Sequence, residues 1–259
     1  MGKTKKVTKT VTTTTTVTEE VIEKKVIETH YLLILDKSGS MSSVRDVTIS
    51  GLNEQIQTIK KLEKQFPDQK YYISLITFDN TVQENFLNKP SSELNEMEQK
   101  DYVPSGMTAL LDAMGHGITR LEDKLRPEMD SKDKIVTAVV VVMTDGYENA
   151  SKKWSNKQVK ELVERLNKDN HWDISFIGAS KDAFLTGQDY GIKNGNIAFY
   201  TASAAGTSTL NSTIAASFYN RGVTMNNAST DLKNLFSYSD IQNGEIKEVN
   251  DTQSSADKS

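Results

Sequence analysis

The chain has 259 residues, a length that suits one α/β domain of ordinary size with terminal extensions. Its net charge of −4 argues against general binding to a phosphate backbone, so we expect no nucleic-acid partner. The absence of cysteine excludes disulfides, thiolate catalysis and zinc–thiolate sites, which leaves carboxylates and hydroxyls for any site chemistry.

Residues 1–28 differ in composition from the rest of the chain. Nine of the first eighteen residues are threonine, and valines recur among them at odd-numbered positions. The β propensity indicates an extended arm, whereas the low apolar content favours disorder, and the sequence leaves both open. The segment lacks the apolar stretch of a secretory signal, and no apolar run elsewhere is long enough to span a bilayer. We therefore expect a cytoplasmic protein without a membrane partner.

Strands and helices alternate after this arm. The segment His30–Asp36 is a continuous apolar run that ends in a carboxylate, which is typical of a central parallel strand buried on both faces. Apolar residues at three- and four-residue spacing then predict a helix over 49–66. Strands over 71–78 and 81–87 follow, joined by a tight turn at Asp79–Asn80.

The second half of the chain continues this alternation. A helix is predicted from Leu110 to about Pro127, and a strongly β-branched strand follows over 135–143. The later elements are a helix over 159–166, a strand over 172–177, a short helix near 181–190, a strand near 196–200 and a helix near 207–221. Such alternation with short loops predicts a doubly wound, mostly parallel sheet flanked by helices. Residues 239–259 are acidic and polar and are predicted to be a disordered tail, so the domain is expected to span 29–238.

Oxygen-bearing side chains follow the apolar strands of this predicted sheet. Ligands of doubly wound sheets lie outside the carboxyl ends of the strands, where the strand order reverses. Three loops bring donors there, namely D-x-S-x-S after the first strand, S-G-M-T before the second helix and T-D-G after the fourth strand. The five donors are Asp36, Ser38, Ser40, Thr108 and Asp145. Hard oxygens suit Mg²⁺ or Mn²⁺, with Ca²⁺ as a third candidate, and two carboxylates against a double positive charge leave room for a partner's carboxylate.

The order of these motifs resembles the metal-ion-dependent adhesion site of the von Willebrand factor A family. The resemblance covers about residues 29–238, and every position of the five-residue motif is present. It implies that Asp36, Ser38, Ser40, Thr108 and Asp145 are metal ligands, directly or through water. It also implies six strands in the order 3-2-1-4-5-6 with the third antiparallel. The stretches YLLILDKSGSM, GMTALLDA and TDGYENASKKWS are similar to stand-alone bacterial and phage members.

Three functions are compatible with this pattern. The first is a binding module that grips an Asp or Glu of a partner protein through the metal, as an adaptor in a bacterial or phage multi-protein system. We predict no enzyme, because the nucleophile elbow and the phosphate loop are absent and Ser38 and Ser40 have no predicted histidine base. The alternatives are a metal-dependent hydrolase or phosphatase and a structural assembly protein whose threonine-rich arm adds a strand to a neighbour.

Some residues near the candidate ligands have two interpretations. Met41 and Met107 flank the ligands and either line an apolar collar or fill gaps in the core. Glu148 either hydrogen-bonds the third loop or is a solvated charge. The deepest core is predicted at Leu32–Leu35 and Val136–Val142, because these apolar runs are too unbroken for half-exposed strands.

Overall fold

The computed structural model of the protein describes residues 4–9, 17–22, 25–179 and 182–226. The tail predicted at 239–259 lies outside the described residues, and so does the end of the predicted domain after Asn226.

Two short strands lie within the threonine-rich arm. They are β1 (Thr4–Lys9) and β2 (Val17–Ile22), which pair with each other in antiparallel fashion as a separate two-stranded sheet. The larger sheet begins at Val26, three residues before the predicted start of the domain.

The rest of the described chain alternates between strands and helices. Apolar residues at helical spacing form the helices, and β-branched runs form the strands. The elements are β3 (Val26–Asp36), α1 (Arg45–Gln65), β4 (Gln69–Phe78), β5 (Val82–Pro90), α2 (Leu110–Met129), β6 (Lys134–Thr144), α3 (Asn156–Leu166), β7 (Trp172–Gly178), α4 (Ala183–Asp189), β8 (Ile197–Phe199) and α5 (Ala204–Asn226).

The six strands from β3 to β8 form one sheet in the order β5-β4-β3-β6-β7-β8. Every neighbouring pair is parallel except β4 with β5. Counted from β3, this is the order 3-2-1-4-5-6 with the third strand antiparallel, so the predicted fold is confirmed. The chain moves outward from β3 to β5 and then returns to the other side of β3 as β6. The strand order therefore reverses between β3 and β6, which is where such sheets bind ligands.

The core consists of two apolar layers, one on each face of the sheet. Alternate residues of a strand point to opposite faces. Tyr31, Leu33 and Leu35 accordingly pack on the side of α1 and α5, whereas Leu32 and Ile34 pack on the side of α2 and α3. The core predicted at Leu32–Leu35 and Val136–Val142 is confirmed, since each of these residues is buried.

Several elements extend beyond their predicted ends, and α2 does so across a proline. Helix α2 continues through Pro127 to Met129 instead of stopping there. Proline in a helix removes one N–H donor and leaves the carbonyl four residues earlier without its partner. That carbonyl belongs to Asp123, an exposed residue, so water can replace the missing bond at this end of the helix.

Candidate metal centre

Asp36 is the last residue of β3, and its side chain is buried at the carboxyl edge of the sheet. One carboxylate oxygen accepts the backbone N–H of Ser38 at 2.6 Å. The other accepts the hydroxyl of Thr144, the last residue of β6, at 2.5 Å. The hydroxyl of Tyr102 donates to the backbone carbonyl of Asp36 at 2.5 Å. The neighbouring strand and the loop after β3 therefore fix this carboxylate, and the loop before α2 fixes the backbone of the same residue.

A series of hydrogen bonds links the loop after β3 to the loop after β6. The hydroxyl oxygens of Ser38 and Ser40 lie 3.2 Å apart. The hydroxyl of Ser40 donates to Asp145 Oδ1 at 2.6 Å. Together with the bond from Ser38 to Asp36, this brings four of the five predicted residues into one connected group.

Thr108, the fifth predicted residue, faces the same group. Its side chain is buried, and Gly146 lies between it and Asp36. A Cβ atom added to Gly146 would lie 3.0 Å from Thr108 Oγ1 and 3.8 Å from Asp36 Oδ2. The Thr108 backbone N–H donates to Asn149 Oδ1 at 2.9 Å, and its carbonyl accepts the Asn149 N–H at 3.1 Å. The structure thus places all five residues at one edge of the sheet, and their role as metal ligands stays a prediction.

The loop before α2 is tied to the loop after β3. The Gly39 N–H donates to the Gly106 carbonyl at 3.1 Å, and the Ser105 N–H donates to the Lys37 carbonyl at 2.8 Å. Gly106 has φ of +70°, and a Cβ atom there would lie 2.1 Å from Asn80 Oδ1. Glycine is required at this position, since a side chain would be strained and would collide with Asn80.

Glu148 holds the loop after β6 against the start of α2. One of its carboxylate oxygens accepts the Leu111 N–H at 2.9 Å, and the other accepts the Ser151 N–H at 2.7 Å. The first N–H groups of a helix lack partners within the helix, so a carboxylate there is stabilising. Of the two interpretations offered by the sequence, Glu148 hydrogen-bonds its loop.

Asp112 is a functional candidate that sequence reasoning missed. Its carboxylate accepts the backbone N–H groups of Lys152, Lys153 and Trp154, at 2.9, 2.8 and 2.8 Å. It is a positioning residue, because it holds the segment that follows Asp145 in contact with the helix that follows Thr108. The signal available in the sequence was an acidic residue in the first turn of a predicted helix.

The two carboxylates of the group are electrostatically uncompensated. Burial raises the pKa of Asp36, and the charge of Asp145 raises it further, although hydrogen bonds from Thr144 and Ser38 lower it. Burial likewise raises the pKa of Asp145. The adjacent Lys37 does not compensate them, since its ammonium pairs with Asp79. Two partly desolvated carboxylates facing each other form a site that a cation would stabilise.

The donor set fits a hard divalent cation that keeps some of its water. Among the residues that the structure describes, no three or more histidine, cysteine, aspartate and glutamate side chains are grouped to hold a metal ion. A cation at Asp36 and Asp145 would therefore need hydroxyl and water oxygens to complete its coordination. Mg²⁺ usually combines one or two carboxylates with several waters, which matches two carboxylates and three hydroxyls.

Residues 32–214, more than half of the chain, match the von Willebrand factor type A domain. The chain belongs to this family. Von Willebrand factor type A domains often mediate protein–protein interactions, and they often bind a divalent metal. A comparison with curated protein sequences finds no match.

Solved structures share the fold of this von Willebrand factor type A domain. The PilB minor pilin from Streptococcus sanguinis aligns with a TM-score of 0.52 at 10% identity, over 78% of this chain and 63% of the pilin. A von Willebrand factor type A protein from Catenulispora acidiphila aligns with a TM-score of 0.51 at 10% identity, over 74% of this chain and 43% of that one. This chain thus spans less than two thirds of either protein, and at these identities the likeness concerns the fold alone.

The domain also has a groove of about 580 Å³ beside the candidate site. It runs along β5 and the segment that connects β5 to α2, and its floor includes Leu52, Ile56 and Leu75. Lys37, which lies between Asp36 and Ser38, lines it together with other lysines and several acidic residues. This mixture gives the groove no strong preference for a charged ligand. Within the described part of the chain, no helix is long and apolar enough to cross a membrane.

Proposed function

We propose that this von Willebrand factor type A domain holds one divalent cation, Mg²⁺ or Mn²⁺ with Ca²⁺ as a third candidate, and uses it to bind an Asp or Glu of a partner protein. One observation carries the proposal. Two carboxylates without a compensating cation, Asp36 and Asp145, lie in one group with three hydroxyls where the strand order reverses. This is the donor chemistry of a hard cation.

The charged and the neutral residues of the site would have different roles. Asp36 and Asp145 together balance the charge of a divalent cation, and the hydroxyls of Ser38, Ser40 and Thr108 are neutral donors. A site of this composition carries no excess negative charge, so it does not repel a carboxylate from another protein. The bound cation supplies the electrostatic attraction for that carboxylate, while the protein residues hold the geometry.

The proposal extends to the setting of the protein. We propose an adaptor in the cytoplasm of a bacterial or phage system, which acts by binding a partner and has no catalytic activity of its own. The family supports the binding role, and the absence of the nucleophile elbow and phosphate-loop motifs from the sequence supports the lack of catalysis.

Titration with Mn²⁺, followed by calorimetry and by electron paramagnetic resonance, tests the cation site. We expect one site in the natural protein and a loss of at least about 100-fold in affinity for Asp36→Asn and for Asp145→Asn. Removal of groups that only orient ligands already costs about 10–100-fold. Mg²⁺ should displace the bound Mn²⁺.

The matched control is Asp182→Asn. Asp182 is an exposed carboxylate that also follows a strand of this sheet, and it lies outside the hydrogen-bonded group. This variant should bind Mn²⁺ as the natural protein does. Unchanged Mn²⁺ binding in both Asp36→Asn and Asp145→Asn, with an intact circular dichroism spectrum, would contradict the proposal.

A further inference from the structure

Large exposed apolar side chains concentrate on the loops around the candidate site. In the described part of the chain the exposed large apolar residues are Val26, Val103, Met107, Tyr147, Leu185 and Tyr219. Three of them, Val103, Met107 and Tyr147, belong to the loops that carry Thr108 and Asp145. Scattered apolar residues on a surface are ordinary, whereas several on one rim mark an interaction surface. We call these three residues the collar.

Met107 is held in an exposed position next to a buried candidate ligand. Its side chain is 50% exposed, whereas that of the adjacent Thr108 is 3% exposed. The Met107 N–H donates to Asn80 Oδ1 at 2.5 Å, and Gly106 before it takes the left-handed conformation that fixes this turn. Met41 is the contrasting case, since it flanks the same ligands but is fully buried. The sequence offered two interpretations for these methionines. Met41 fills a gap in the core, whereas Met107 belongs to the exposed collar.

Tyr147 is anchored at its polar end and leaves its ring in solvent. Its hydroxyl donates to Asp182 Oδ2 at 2.9 Å, yet the residue remains 63% exposed. It directly follows Gly146, the residue that lies against Thr108 Oγ1 and Asp36 Oδ2. A ring that is already fixed loses little conformational freedom when a partner covers it.

We propose that the collar makes the site selective for a carboxylate that adjoins a bulky apolar group. This proposal rests on the proposed function, because the cation supplies the attraction for the carboxylate. A partner would then present an Asp or Glu beside side chains such as Leu, Ile or Phe, and Val103, Met107 and Tyr147 would cover those side chains. Burial of apolar surface on both partners adds affinity that an isolated carboxylate lacks.

Two carboxylates of unequal apolar size test this selectivity in the full chain. The Mg²⁺-loaded protein is titrated with acetate and, separately, with 4-methylpentanoate, and the methyl signals of ¹³C-labelled methionines are followed by NMR. We expect 4-methylpentanoate to bind at least about tenfold more tightly, since each buried methylene contributes about 0.8 kcal/mol, or roughly fourfold. The Met107 methyl signal should shift, and that of the buried Met41 should shift less.

Variants separate the collar from the cation. Met107→Ser and Tyr147→Ser should each reduce the preference for 4-methylpentanoate by about threefold or more, with Mg²⁺ affinity unchanged. The matched control is Tyr219→Ser, which removes an exposed aromatic ring on α5 and should leave the preference intact.

Two results overturn the inference in distinguishable ways. Equal affinity for the two carboxylates in a protein that binds Mg²⁺ would contradict the role of the collar in selectivity, whereas the proposed function would still hold. Failure of the natural protein to bind Mg²⁺, or carboxylate binding that persists after the cation is chelated, would remove the proposed function and this inference together.

Discussion

The two faces of the sheet are both covered by apolar packing, but they differ in how deeply their polar contacts are buried. On one face, α2 and α3 cover an apolar layer that includes Leu32, Ile34 and Val140, and a buried Glu122 of α2 pairs with the exposed guanidinium of Arg165 on α3. On the other face, α1 and α5 cover a layer that also contains buried polar groups. Hydrophobic burial is non-directional, whereas a buried polar pair needs matched geometry. On the first face, a substitution should therefore destabilise the domain by changing side-chain volume or adding a charge. On the second face, it should destabilise the domain by leaving a buried polar group without its partner.

The polar contacts of the second face centre on α5. Gln55 Nε2 donates to Asn211 Oδ1 at 3.2 Å, and Asn211 Nδ2 donates to the Val47 carbonyl at 3.1 Å. Arg221 Nη1 donates to Asp173 Oδ2 at 3.0 Å, and both residues are buried. These contacts select one position of α5 along the sheet, because any other position would leave buried polar groups unpaired.

The largest effect is expected for a charge placed in the apolar layer. Val140→Asp buries an unpaired carboxylate, which should destabilise the domain by more than about 5 kcal/mol, a value comparable with its whole stability. We expect the variant to be insoluble or unfolded by circular dichroism. Val140→Ala is the control, which should lose only about 2 kcal/mol through cavity formation. A folded and soluble Val140→Asp protein would mean that Val140 does not lie in the buried apolar layer.

Removal of one partner from the buried ion pair should have the next largest effect. Arg221→Met leaves Asp173 buried without its cation and should cost about 3–5 kcal/mol in urea denaturation. The double variant Asp173→Asn/Arg221→Met should regain part of that loss, because no buried charge remains. Equal losses in the single and double variants would contradict this account of the pair.

The same variant gives a test by pH. Burial raises the pKa of Asp173 above its ordinary value even with Arg221 present, and loss of the guanidinium raises it further. A raised pKa in the folded state means that the folded protein binds the proton more readily than the unfolded chain. Stability should therefore increase as the pH falls through the folded-state pKa, so the deficit of Arg221→Met should shrink as the pH is lowered from neutral towards the ordinary pKa of an aspartate. A deficit that grows over this interval would exclude a buried, uncompensated Asp173.

A smaller effect is expected at Gly51 of α1, which packs closely against Asn211 of α5. A Cβ atom on Gly51 would lie 1.9 Å from Asn211 Nδ2, so Gly51→Ala should cost about 1–3 kcal/mol despite the better helix propensity of alanine. In an Asn211→Ala background the same change should cost less, because the amide group that lies nearest is gone and only the Cβ atom of residue 211, at 2.5 Å, still opposes the new side chain. Thermal or urea denaturation of the four proteins in this cycle measures the coupling. Strict additivity would show that the two side chains do not meet.

The smallest effect is expected outside both faces. A chain covering residues 25–238 lacks the separate two-stranded sheet and the predicted acidic tail but keeps Val26, which pairs with Lys134. It should melt within about 4 °C of the full chain, which corresponds to about 1 kcal/mol for a domain of this size. It should also bind Mn²⁺ equally well. A collapse of the fold after removal of residues 1–24 would make the arm an integral part of the domain.

The sequence predicts the elements on the face covered by α2 and α3 better than those on the face covered by α1 and α5. Long apolar strands and helical stripes such as those of α2 and α3 carry a clear period, and the strand-end rule places Asp36 and Asp145 together. Helix α5 was expected near 207–221 but spans Ala204–Asn226, because its apolar stripe of Leu210, Ile214 and Phe218 lies in the middle and mostly small or polar residues form both ends. Its polar partners on α1 and β7 are distant along the chain, so no local sequence pattern predicts these contacts.

The candidate site also has a part that the sequence predicts and a part that it does not. The five candidate ligands follow from motifs at strand ends, and the structure brings them to one edge. The roles of Asp112, Thr144 and Tyr102 do not follow from the sequence, because each contacts a segment that is distant along the chain. Met41 and Met107 each had two interpretations for the same reason, since only the folded chain shows that Met41 is buried and Met107 is exposed.

The bond between Thr144 and Asp36 joins residues 108 positions apart along the chain. It forms only when β3 and β6 lie side by side in their native register, in which Leu35 is opposite Met143. A cation shared by the loops after these strands would therefore bind only chains in which β3 and β6 are already paired. Ligands that bind only the native state stabilise it by mass action, and contacts that form after the folding transition state slow unfolding and leave folding nearly unchanged. Added Mg²⁺ would thus lengthen the lifetime of the folded domain.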